Sequence, residues 1–247
     1  MAGSFKDHFS IRSPDYARYR PTYPAALFEC LAGLAKETRR AWDCATGSGQ
    51  AAIALADYFD EVIATDASAE QVNAAVARDG VRYRVAPAEG SGLDDNAFDL
   101  VSVGQALHWF DRPRFFAEAG RVLVEGGVLA AWCYERCEVT PAIDAVVERL
   151  YEDIVGPFWP PERVLIERGY RDIDMPGAAL ETPDFEMRLT WGPDDMLGYL
   201  GTWSACKRYE AQHGEDPVSL IREPLRSAWG SNERPVRWPV RLRVCRL

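Results

Sequence analysis

Between residues 41 and 134 the chain alternates short apolar runs with stretches of helical period. The runs at 41–45, 61–65, 82–86, 98–104 and 128–134 are rich in β-branched, aromatic and small apolar residues, as strands covered on both faces are. Helical stretches separate them. Residues 50–58 are almost wholly apolar, which suits a helix lying on a sheet. Residues 69–78 follow Ser68 as a cap and end before Gly80. Phe115, Phe116, Ala119, Val122 and Leu123 form one face of a helix that Asp111 caps and Gly126-Gly127 stops. Alternation on this scale predicts a parallel sheet with right-handed crossovers.

After Tyr134 the pattern changes. Thr140-Pro141 opens a helix carrying Ile143, Val146, Val147, Leu150, Tyr151 and Ile154 on one side, and the Gly/Pro-rich run at 156–161 ends it. Two alternating segments, 185–191 and 236–244, predict an antiparallel strand pair at a sheet edge, where Pro239 is tolerated. Residues 196–208 between them have helical period. The segment 135–184 is expected to be an insertion or lid. The division expected is one domain over 1–247: a cover at 1–40, a core at 41–134, the insertion, and closing strands at 185–247.

Composition narrows the partners. The 247 residues carry a formal net charge of -10, unevenly placed. Residues 1–40 hold seven basic and four acidic groups, and residues 222–247 hold seven Arg and two Glu, leaving an acidic body. Such a body repels polyanions, so nucleic acid is not expected as a partner. The arginines at 234, 237, 241, 243 and 246 read as a solvated edge strand. No apolar run approaches the roughly 20 residues of a membrane span, and the first 20 residues show no signal peptide. Six cysteines without CxxC spacing, and three histidines away from them, predict reduced thiols in a cytoplasmic protein and no metal centre.

The densest chemical signal is Trp42-Asp-Cys-Ala-Thr-Gly-Ser-Gly-Gln50. A strand there enters a small-residue turn and then a helix, whose first N–H groups are free to donate. Gly47-x-Gly49-x-x-Ala52 also satisfies the dinucleotide fingerprint. Asp43 argues against it, because a carboxylate would repel a pyrophosphate yet attract a ligand ammonium. Asp66, 17 residues beyond Gly49, ends the second strand and suits both hydroxyls of a ribose; its plainer reading is a helix cap. Glu89, after Ala88, is placed for an adenine edge or for plain solvent exposure.

Asp43-x-Ala45-x-Gly47-x-Gly49, Asp66, Ala88-Glu89, Phe98-Asp-Leu-Val101 and Gln105-Ala-Leu-His-Trp-Phe110 together resemble the class I S-adenosylmethionine-dependent methyltransferases, most of all the small-molecule branch with the trans-aconitate methyltransferases. Phe5-Lys-Asp-His-Phe9 and the segment from Tyr16 to Pro24 extend the likeness, which covers residues 5–134. The resemblance implies a doubly wound, Rossmann-like α/β sheet of seven mostly parallel strands, with an N-terminal helical cover and a helical insertion after strand 5. It implies S-adenosyl-L-methionine as cofactor and a small-molecule acceptor, with carboxylic acids among the candidates. The loop from Asp43 to Gly49 would surround the methionine moiety, and Asp66 would hold the ribose. Ala67, Ala88 and Glu89 would frame the adenine, Gln105 would lie beside the sulfonium, and Tyr16 and Arg20 would face the cofactor carboxylate. His108 stands where a general base would meet the acceptor. One departure is Ala45, where the family usually has Gly, so weaker affinity or a shifted backbone is expected. The competing functions are an NAD(P)-dependent oxidoreductase and a cofactor-binding protein without catalysis.

Overall fold

The computed structural model describes residues 19–247. Helix α1 (Ala25–Leu34) precedes the sheet. Alternation then runs as β1 (Arg40–Cys44), α2 (Gln50–Leu55), β2 (Glu61–Asp66), α3 (Ala69–Ala74), β3 (Val81–Val85), β4 (Phe98–Gly104), α4 (Arg112–Val122) and β5 (Leu123–Tyr134). These five strands are parallel, in the order β3-β2-β1-β4-β5. The chain therefore starts mid-sheet, winds outward, and returns across β1 to wind the other way. The reversal between β1 and β4 opens a crevice beyond their C-terminal ends, where open α/β sheets take their ligands.

Local chemistry explains the element ends. Ser68 accepts from the Gln71 N–H at 3.3 Å, Asp111 from that of Arg114 at 3.4 Å, and Thr140 from that of Ile143 at 3.4 Å. Such caps contribute about 1 kcal/mol each. The Gly126-Gly127 pair does not stop the helix as expected; β5 already begins at Leu123 and runs through it. Helices α2 and α3 are also shorter than their apolar patterns suggest.

The two C-terminal strands form the antiparallel pair expected at the sheet edge, with one strand of the pair in the outer place and the other inside it. Strand β8 (Arg234–Arg246) is antiparallel, but it lies inside the sheet. Its second half pairs with β5 from Tyr134↔Val240 onward. Its first half pairs with β7 (Phe185–Trp191), which takes the outer place, and two-residue β6 (Ala178–Ala179) flanks its end. Pro239 stands opposite Glu135 just beyond the β5 ladder, where its carbonyl accepts from the Glu135 N–H at 3.0 Å and only the return bond is missing. The arginines of β8 brace neighbouring elements, while Arg237 and Arg241 stay exposed as expected. Arg241 pairs with Glu135 at 2.6 Å and Arg237 with Glu138 at 2.6 Å. Arg243 donates to the Tyr170 carbonyl at 2.8 Å, and Arg246 to those of Gly126 at 2.7 Å and Leu34 at 2.8 Å.

The sheet separates two cores. One joins α1 and α2 to Val62, Ala64, Leu100, Val128, Ala130 and Trp132. The other joins α4 to Trp42, Ile63, Val101, Val103, Leu129 and Cys133. The insertion reaches both. Its first part, α5 (Pro141–Glu148) and the continuing π-helical turn Arg149–Ile154, packs Ile143, Val147, Leu150 and Tyr151 into the first core. Its second part, α6 (Arg163–Glu167) and the turns up to Ile173, sends Ile166, Tyr170 and Ile173 into the other. A segment that enters both cores must pass over the rim of the sheet. Beyond β7, α7 (Pro193–Gly201) and α8 (Ser204–His213) replace the single helix expected, and α9 (Arg222–Trp229) is a helix that the apolar pattern does not predict.

Candidate active site

The turn after β1 has an alternating backbone. Ala45 (φ 56°), Gly47 (φ 56°) and Gly49 (φ 85°) are all left-handed. The turn is fixed by its own backbone: the Thr46 N–H donates to the Thr65 carbonyl at 2.9 Å and the Gly49 N–H to the Thr46 carbonyl at 3.0 Å. Gly49 is required on a second count: a Cβ there would lie 2.2 Å from the Tyr83 hydroxyl. Ala45 holds a left-handed conformation that glycine takes without cost.

Asp43 is buried under this turn. Its two oxygens accept from Thr46 Oγ1 at 2.6 Å and Ser102 Oγ at 2.8 Å. Burial pushes its carboxyl up to about 6, against the pull of those two hydroxyls. Asp66, at the end of β2, accepts from the Gly47 N–H and the Ser68 N–H, each at 2.9 Å. The Ser68 contact places Asp66 beside the start of α3, but Ser68 and not Asp66 is its cap. Each Asp66 oxygen keeps a further lone pair for a ligand hydroxyl. Glu89 Oε1 accepts from the Asp111 N–H at 3.0 Å, so it ties the loop after β3 to the start of α4. Ala88 beside it is buried. Burial pushes the Cys44 thiol well up, and the charges of Asp43, Glu89 and Asp66 push it further.

Gln105 has φ 57° and bridges β4 to β5. Its N–H donates to the Trp132 carbonyl at 2.8 Å, and its Oε1 accepts from the Tyr134 N–H at 2.9 Å. Arg20 donates to the Tyr134 hydroxyl and lies 5.7 Å above the Tyr199 ring. Gln50, which the sequence does not single out, donates to the Pro21 carbonyl at 3.1 Å and fastens the N-terminal segment over the turn. A glutamine opening a helix gives no sequence signal for that contact. Tyr16 lies outside the described residues.

His108 departs from the base expected of it. It is 5% exposed, and its Nδ1 is 2.9 Å from the Tyr170 hydroxyl. Burial, helped by the Arg163 charge, lowers its pKa to about 3. An imidazole so weakly basic stays neutral at pH 7 and takes up a proton poorly. It links the turn after β4 to the insertion instead.

The residues present fit S-adenosylmethionine by the chemistry of their donor set. A tight turn of left-handed residues, a buried carboxylate beneath it and a second carboxylate at the next strand end match an amino-acid moiety joined to a ribose. A pyrophosphate would meet Asp43 and Asp66, with the Thr46, Gly47 and Gly49 N–H groups already donated. Among the described residues no cluster of His, Cys, Asp or Glu could hold a metal ion, and all six cysteines are unpaired.

Strand order, crevice and turn define a Rossmann-like class I methyltransferase. A methyltransferase-domain family profile matches residues 42–131. A methyltransferase-named protein of Dictyostelium discoideum is 34% identical over 233 residues, which is 93% of this chain and 89% of that protein. A yeast protein named for S-adenosylmethionine-dependent methyl transfer is 29% identical, but over 51% of this chain and 46% of its own length. The solved structure of a protein described as a type II methyltransferase from Anaeromyxobacter dehalogenans is 44% identical, with a TM-score of 0.87 over 92% of this chain and 98% of that one. The chain belongs to the S-adenosylmethionine-dependent methyltransferases and is an enzyme of that class.

Proposed function

We propose that the enzyme methylates a small molecule, with the cofactor held by the residues at the ends of β1, β2 and β3. The observation that carries this reading is Asp43 buried under a turn of left-handed residues whose Gly47 N–H donates to Asp66, the carboxylate that ends β2. Asp43 takes the cofactor ammonium, and a cation there draws off the proton that burial favours. Asp66 holds the ribose hydroxyls with the lone pairs left by Gly47 and Ser68. Ala67, Ala88 and Glu89 line the adenine. Gln105 fixes the ends of β4 and β5 beside the reacting centre, while Arg20 and Gln50 hold the N-terminal cover down.

When bound, S-adenosylmethionine supplies an electrophilic methyl group, which an acceptor lone pair takes while the C–S electrons stay on sulfur as a thioether. The protein's part is alignment and exclusion of water, worth about 7–11 kcal/mol for a well-aligned pair. With His108 neutral and buried, the acceptor must arrive already nucleophilic, as an ionised acid does. A small acceptor is favoured because the insertion crosses the rim of the sheet and narrows the approach. The acidic body disfavours nucleic acid, and the unpaired cysteines fit a reducing, cytoplasmic setting. Transfer of label from methyl-tritiated S-adenosylmethionine to small carboxylic acids tests the proposal. Labelling of one of them supports it, and labelling of protein or RNA alone from a cell extract would reject it.

A further inference from the structure

The insertion carries a cation whose partners are aromatic. Arg163, at the start of α6, donates its Nε to the Tyr151 hydroxyl at 2.8 Å. That hydroxyl in turn donates to Glu167. The Arg163 guanidinium lies 4.6 Å from the centre of the Trp159 ring and 5.4 Å from that of Tyr151. Tyr151 and Trp159 pack on Trp203 at the head of α8, with ring centres 5.6 Å away in each case. Rings of this kind fix a guanidinium in place without neutralising it. No carboxylate within the described residues forms an ion pair with Arg163. The neighbouring Arg136 also lies over Tyr151, at 4.7 Å, but it is held by Glu148 and Glu152.

The position of this cation is informative. Helix α6 packs against the turn Leu107–Trp109 that follows β4. The Arg163 charge is felt by His108, by Tyr170 and by Cys133, one residue before the end of β5. On its other side stand Tyr151 and Trp159. Arg163 therefore stands where residues of the two cores meet, beside the turn that follows β4.

We infer that Arg163 is a specificity-determining residue that reads a carboxylate on the methyl acceptor. The inference rests on the methyltransferase reading and adds to it the residue and the chemical class recognised. Because Nε is committed to Tyr151, the two terminal nitrogens remain as one edge. That edge matches the two oxygens of a carboxylate. A phosphate dianion would call for a second cation; the neighbouring His108 is neutral and Arg136 is engaged by Glu148 and Glu152.

The test uses the full chain saturated with S-adenosylhomocysteine. Benzoate, hexanoate, benzamide and phenyl phosphate are titrated into it by calorimetry. At least one carboxylate should bind at least tenfold more tightly than benzamide, and phenyl phosphate should bind more weakly than that carboxylate. Arg163→Gln should erase the preference while leaving S-adenosylhomocysteine affinity within twofold, which also shows that the variant is folded. Arg163→Lys should keep part of it, because it retains charge but loses the fork. Tyr151→Phe, which removes the anchor for Nε and keeps the ring, should fall between. Equal binding of acid and amide, failure of both carboxylates, preference for phenyl phosphate, or an unchanged preference in Arg163→Gln would each overturn the inference. Failure of S-adenosylhomocysteine itself to bind would instead overturn the underlying cofactor reading.

Discussion

Replacing Ala45 by glycine tests the backbone account of the cofactor turn. Ala45 is held at φ 56°. A left-handed conformation costs an L-residue roughly 1–2 kcal/mol that glycine does not pay. Glycine also gives the unfolded chain more freedom, which takes back about 0.4–1 kcal/mol. The net expectation is a gain of about 0–1.6 kcal/mol. For a chain of this size that raises Tm by up to about 6 °C, at roughly 2–4 °C per kcal/mol. Affinity for S-adenosylhomocysteine should change by less than about twofold, because the turn already has the conformation a glycine would adopt. Differential scanning calorimetry and isothermal titration of the Ala45→Gly protein measure both. A lower Tm, or a large rise in affinity, would refute the reasoning: the first would mean that the methyl group packs usefully, the second that it obstructs the ligand.

Other outcomes rest on the same geometry. Asp66→Asn leaves one oxygen where two accept backbone N–H groups, so it should cost about 1–2 kcal/mol in urea denaturation, and weaken S-adenosylhomocysteine binding about tenfold or more. Because the Asp43 pKa is raised to about 6, the folded chain holds a proton there that the unfolded chain has lost. The resulting stabilisation is present at low pH and is lost as pH rises through about 6. S-adenosylhomocysteine affinity should therefore rise between pH 5 and 7, and Asp43→Asn should flatten that rise in calorimetric titrations. His108, with a pKa near 3, predicts no limb from its titration between pH 5 and 8 in kcat/KM; a limb near 6.5 that vanishes in His108→Asn would contradict its burial. Gly49→Ala should destabilise by about 1–3 kcal/mol from the left-handed backbone alone, and by more because its Cβ meets Tyr83; a Tm within a degree of the parent would refute that contact.

The legible parts of the fold are those fixed by local pattern. The five parallel strands, the Ser68 and Asp111 caps and the turn at Asp43–Gly49 all arise from residues close in sequence. The position of β8 does not, because pairing on both flanks is a tertiary fact. Its alternating arginines look the same whether water or Glu135, Glu138 and distant carbonyls receive them. Asp43, Asp66 and Glu89 are legible because each stands near the C-terminal end of a strand: Asp43 just before the end of β1, Asp66 at the end of β2 and Glu89 in the loop after β3. Gln105 is legible as a position but not as a bridge to Tyr134, 29 residues away. His108 misleads for a related reason: a histidine after β4 looks like a base until the insertion brings Tyr170 and Arg163 against it. Arg163 and Gln50 carry no sequence signal, since what distinguishes them is the company they keep.

The central claim is that the turn and the carboxylates behind it hold S-adenosylmethionine and not a dinucleotide. Calorimetric titration of the purified chain with S-adenosylhomocysteine, with NADH as the parallel titrant, tests it most directly. The structure predicts saturable one-site binding of the thioether, lost in Asp66→Asn, and no heat from NADH. Saturable binding of NADH without the thioether would contradict the account and make Gly47-x-Gly49-x-x-Ala52 a dinucleotide fingerprint after all.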